Sequence, residues 1–82
     1  MNNNQTETRP LYTIATEIKL TWPKVYFGAV PYLQAMSTLK TIEDNYGYDS
    51  GESIVRYFLS NASSWRGEDA KRIKAELKSL LK

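Results

Sequence analysis

The final third of the chain places the strongest constraint on the fold. Ala70, Ile73, Leu77, Leu80 and Leu81 recur there at helical spacing, and Lys71, Lys74, Lys78 and Lys82 form a neighbouring stripe. Such a helix has an inside and an outside. Gly67 suits the position before it, and Glu68 and Asp69 fall in its first turn, where carboxylates complement the positive end of the helix dipole.

The rest of the chain divides at prolines and glycines. After Arg9-Pro10, a proline tolerated at a first helical position, Leu11, Ile14, Ala15, Ile18 and Trp22 share a helical face, which predicts a helix over about 10–21. Pro23 ends it. The apolar connector Trp22 to Pro31 has room for one short helical turn. Pro31 then opens a helix whose buried face is expected to be Tyr32, Leu33, Met36, Leu39 and Ile42, and which stops at Tyr46-Gly47. Asp49 with Glu52 three residues later resembles a capping box, and Ser50 is nearly as good a cap. The helix that follows carries Ile54, Val55, Phe58, Leu59 and Ala62 and runs out at Asn61 to Ser64. No Asn-Gly or Asp-Gly hairpin signal and little strict alternation are present, so no strand is expected.

These elements predict an all-α fold, a small single-domain bundle of about four helices over residues 10–82, with a disordered polar tail over 1–9. A domain of 82 residues has a thin margin of buried surface. Two Trp, six Tyr and two Phe compensate with bulky rings. Trp22, Phe27, Leu33, Met36, Phe58 and Leu77 are expected to share the core, with Trp65 closing its edge; the connector Trp22 to Tyr32 is expected to fold inward, the alternative being an exposed recognition surface, as aromatics flanked by prolines often are.

Composition also excludes function classes. Without Cys there are no disulfides, thiolate metal sites or cysteine nucleophiles, and without His the usual general base and the commonest metal ligand are missing. No phosphate-cradling Gly-rich loop, metal-ligand spacing or nucleophile elbow occurs. A non-enzymatic protein without cofactor or metal is therefore expected. The polar start has no apolar run of the kind a signal peptide carries, and no segment reaches the roughly 18–20 apolar residues of a membrane span. The chain is accordingly read as cytoplasmic, with no membrane role.

Two groups of residues are candidates for binding. Tyr46 and Tyr48 flank Gly47 on a predicted loop, where aromatics often serve contacts, and Trp65 with Arg66 lies in a segment rich in polar side chains. These four would bind another protein or a second copy of this chain. The alternative is nucleic acid held by Lys71, Lys74, Lys78 and Lys82. Residues 63–82 carry six basic groups against three acidic, whereas residues 1–62 carry five against six. Glu68, Asp69 and Glu76 share the basic helix and are expected to repel phosphate, which favours a solvated face and makes protein binding the leading reading.

Between Val25 and Leu80, three segments resemble a set of small uncharacterised proteins encoded by bacteriophages and other mobile elements. They are Ala29-Val30-Pro31-Tyr32-Leu33-Gln34-Ala35-Met36, Tyr46-Gly47-Tyr48-Asp49-Ser50, and Tyr57 to Gly67 followed by Ile73-Lys74-Ala75-Glu76-Leu77. The resemblance implies a genomic setting and a small accessory factor. It implies no activity, ligand or catalytic residue.

Overall fold

The structure is a computed structural model, and it describes residues 8–81. Four helices, a 3₁₀ turn and one two-stranded hairpin follow one another: α1 (Leu11–Thr21), the 3₁₀ turn (Phe27–Ala29), α2 (Val30–Met36), β1 (Asn45–Tyr46), β2 (Asp49–Ser50), α3 (Gly51–Ser60) and α4 (Glu68–Leu80). The fold is thus mostly helical, and the hairpin makes all-α an approximate description. Of the tail expected over 1–9, residues 1–7 lie outside the described residues. Arg9 does not behave as tail: its guanidinium reaches both carboxylate oxygens of Glu76 on α4, at 2.9 and 2.7 Å.

Periodicity explains three of the helices directly. Leu11, Ile14, Ala15 and Ile18 are buried on α1, Ile54, Val55 and Phe58 on α3, and Ala70, Ile73 and Leu77 on α4. Pro10 precedes α1 as its cap residue rather than opening it. The first amides of α1 are satisfied from elsewhere in the chain, Leu11 N–H donating to the Lys40 carbonyl and Tyr12 N–H to that of Leu39, each at 2.9 Å. This stitches the start of α1 to the segment after α2.

α2 is much shorter than the pattern predicts. Its apolar spacing continues to Ile42, but the Ser37 hydroxyl donates to the Leu33 carbonyl at 3.0 Å and Thr38 to that of Ala35 at 2.8 Å. Hydroxyls competing for these carbonyls favour termination. Asp44 then folds the chain back, its carboxylate accepting from the amides of Lys40 (2.9 Å) and Thr41 (3.1 Å). Those hydrogen bonds, Thr41 first, hold its pKa below the ordinary value. Leu39 is buried as expected, whereas Ile42 and Tyr32 are only half-buried.

No strand was expected where the hairpin lies. Asn45 pairs with Ser50 and Tyr46 with Asp49, antiparallel, around Gly47-Tyr48. Gly47 has φ +65°, the positive value that primed hairpin turns demand at their first central position and that glycine adopts at little cost. Asp49 is consequently a strand residue, and Ser50 caps α3 by accepting from the Ser53 amide at 3.1 Å.

The core lies between α1, α2, α3 and α4, with α1 against both α2 and α4, and α2 against α3. Its centre is aromatic. Trp22 and Trp65 stack with centroids 5.2 Å apart and planes 7° from parallel, and Phe58 meets each of them edge-on at 6.2 and 6.3 Å. Trp65 therefore does more than close an edge. Phe27, expected in this core, is 79 % exposed, so the connector splits: Trp22 and Ala29 turn inward while Tyr26 and Phe27 stay in solvent.

Candidate functional site

α4 presents two chemically different flanks beside its buried stripe. On one, Asp69 and Glu76 face arginines: Arg9 takes Glu76, and Arg72 reaches Asp69 at 3.1 Å and Glu17 of α1 at 2.6 Å. Arg9 also lies 2.9 Å from Glu17 Oε1, although that buried oxygen has no partner in hydrogen-bonding alignment. The Arg72 hydrogen bond, followed by the Arg9 contact, lowers the Glu17 pKa; Glu76 first, with a smaller contribution from Glu17, raises that of Arg9, and Glu17 followed by Asp69 raises that of Arg72. This flank is a neutralised network joining α1 to α4.

On the other flank lies an open groove of about 670 Å³ between α4 and the segment Trp65 to Gly67. Arg66, Lys71, Lys74 and Lys78 line it, with Glu68 as the one acidic lining residue among the described residues. Lys74 is half-buried, donates to the Trp65 carbonyl at 2.7 Å, and stands 5.9 Å from the centre of the Trp65 ring. It thereby ties the Trp65 to Gly67 segment to the helix. Burial lowers the pKa of Lys74, and repulsion from Lys78 and Arg66 lowers it further.

The sequence-derived nucleic-acid candidates are thus brought together as Lys71, Lys74 and Lys78, while Lys82 lies outside the described residues. The expected dilution by acidic neighbours needs correction. Of the three carboxylates on α4, Asp69 and Glu76 are turned to the arginine network, and Glu68 alone lines the groove. Helical geometry accounts for this, because at 3.6 residues per turn positions 69, 72 and 76 fall on one side of the buried stripe and 71, 74 and 78 on the other.

The four protein-binding candidates do not form one surface. Trp65 is 3 % exposed and belongs to the core, Arg66 lines the basic groove, and Tyr46 and Tyr48 sit on the hairpin with Tyr48 wholly in solvent. Another aromatic surface draws on the connector Trp22 to Tyr32, where exposure was the less favoured alternative, and on Tyr57 of α3. Phe27 lies against Tyr26 at 4.9 Å between ring centres, and Tyr32 of α2 against Tyr57 of α3 at 5.4 Å. Asn61 links the two pairs: its amide donates to the Tyr57 carbonyl at 2.8 Å, and its Oδ1 and the Tyr26 ring both crowd Gly28, where a side chain would overlap them. Tyr57 carried a signal, one position off the Ile54, Val55, Phe58 face. Phe27 carried only that of the prolines flanking its connector.

Among the described residues, no group of three or more His, Cys, Asp or Glu side chains could hold a metal ion, and no helix is long and apolar enough to cross a membrane. Comparison with protein-family models, curated proteins and solved structures finds no match.

Proposed function

We propose that this chain is a small, non-enzymatic accessory protein of the cytoplasm that acts by binding another protein through the aromatic surface of Tyr26, Phe27, Tyr32 and Tyr57. The observation that carries this reading is the exposure of Phe27, at 79 %, against the half-exposed ring of Tyr26, with the half-exposed Tyr57 packed on Tyr32 as the second pair. Burying a phenylalanine stabilises a fold by about 1.5–3 kcal/mol. A domain this small gains from every ring it can bury, so a ring left in solvent next to others marks a contact surface. Tyr46 and Tyr48 on the hairpin supply a second contact. The resemblance to proteins of bacteriophages and mobile elements fits an accessory role of this kind.

Phe27→Glu tests the reading, because an exposed side chain can be charged without disturbing the core. Cross-linked affinity purification from the native host is expected to recover a protein with the wild type and to lose it with Phe27→Glu at an unchanged melting temperature. Recovery of the same proteins by both forms, or of none by the wild type, would refute it. Sedimentation equilibrium separates a foreign partner from a second copy of this chain.

A further inference from the structure

The basic groove of α4 lies apart from the aromatic surface and has a chemistry of its own. Four cationic side chains converge on it with a single carboxylate among them. The repulsion that Lys78 and Arg66 exert on Lys74 would be relieved by an anion placed between them. Lys71 and Lys78 are seven residues apart, which on a helix is two turns and about 10 Å. Successive phosphates on one strand of duplex DNA rise about 3.4 Å along its axis but lie about 7 Å apart because the strand winds around it, so this row spans about two of them.

We propose that this groove docks the phosphate backbone of double-stranded DNA without reading its bases. Two alternative polyanions fit the site less well. Unpaired nucleic acid is held by stacking its bases on exposed rings, yet Trp65 is 3 % exposed and already stacked on Trp22. Stable seating of a helix on an anionic membrane surface draws on apolar side chains beside the lysines as well as on charge. On α4 these are spent, with Ala70, Ile73 and Leu77 buried and Leu80 and Leu81 packed against the core.

The test is a fluorescence-anisotropy titration with labelled 20-base-pair DNA at 50 and 200 mM salt. Three to four neutralised phosphates give a salt slope near −3, which corresponds to a loss of affinity of about 40- to 150-fold between the two conditions. Lys71→Gln combined with Lys78→Gln is expected to reduce that slope by about 1.8 and to weaken low-salt binding at least about tenfold. The corresponding pair of arginine substitutions should retain binding, and so should Lys24→Gln with Lys40→Gln, two lysines outside the groove. Both groove lysines are exposed, so thermal melts of these variants should match the wild type. Phe27→Glu should bind DNA normally, which keeps failure here separate from failure of the protein-binding reading. Absence of binding at 50 mM salt, an unaffected double glutamine variant, tighter binding of single-stranded DNA, or equal competition by duplex RNA or polyglutamate would each overturn the proposal.

Discussion

Gly51 opens α3 where alanine would ordinarily be the better helix residue, and changing it to alanine is expected to destabilise the protein. Replacing a helical glycine by alanine at a compatible site stabilises by about 0.4–1 kcal/mol, through the unfolded chain. At Gly51 the added Cβ would lie 2.7 Å from the Thr41 carbonyl oxygen, 2.8 Å from Ile42 Cα and 2.9 Å from the Ile42 oxygen. All three are backbone atoms, so no side chain can swing aside. The same backbone is pinned by Gly51 N–H donating to the Asp44 carbonyl at 2.6 Å and Glu52 N–H to that of Ile42 at 2.9 Å. Overpacking of this kind costs about 1–3 kcal/mol, which exceeds the propensity gain and leaves a net loss of about 1–2 kcal/mol. For a domain of this size that is a fall in melting temperature of about 5–15 °C. Urea unfolding should show the midpoint lowered by about 1–2 M at a slope near 1 kcal/mol/M. Gly47→Ala is the comparison, since it has open space but φ +65° and should lose only the left-handed penalty of roughly 1 kcal/mol. A Gly51→Ala protein as stable as the wild type, or more so, would refute the close approach of α3 to residues 41 and 42.

Leu77→Ala removes a side chain with no solvent exposure from the buried stripe of α4 and should cost about 2–5 kcal/mol in denaturant unfolding, whereas a loss below about 0.5 kcal/mol would contradict its burial. Glu17 gives a pH signature. Its folded pKa lies below the ordinary 4.5, so its stabilisation is complete above that value and is lost as pH falls through the folded one. The stability difference between wild type and Glu17→Gln, followed by thermal melts from about pH 5 to about pH 3, should therefore shrink on acidification, and a constant difference would refute the network.

The helices α1, α3 and α4 were legible because their signal is local. Apolar residues three and four apart specify both the helix and its buried face, whatever that face later meets. The ends of α2 and the path beyond it were not. The periodicity through Leu39 and Ile42 is real, yet Ser37, Thr38 and Asp44 divert the backbone by hydrogen bonds that no apolar pattern reports. Likewise Gly47 marked a break in both readings, and only pairing of Asn45–Tyr46 with Asp49–Ser50 made it a hairpin turn rather than a helix stop.

The basic and aromatic surfaces divide in the same way. That α4 carries a lysine stripe follows from spacing alone, since Lys71, Lys74 and Lys78 must share a side of any helix. That Asp69 and Glu76 fall on the opposite flank follows from the same spacing, but their neutralisation there also needed the packing of α1 on α4, which brings Arg9 to Glu76 and Glu17 to Arg72, beside the Arg72–Asp69 pair within α4. Aromatic count was equally plain, and burial was not. Trp65 went inside because Trp22 and Phe58 offered it a stack and an edge, while Phe27, in a short connector, was carried outward by the 3₁₀ turn that sends Ala29 into the core. Side-chain type sets what burial is worth, but the number of places inside is set by how the helices meet.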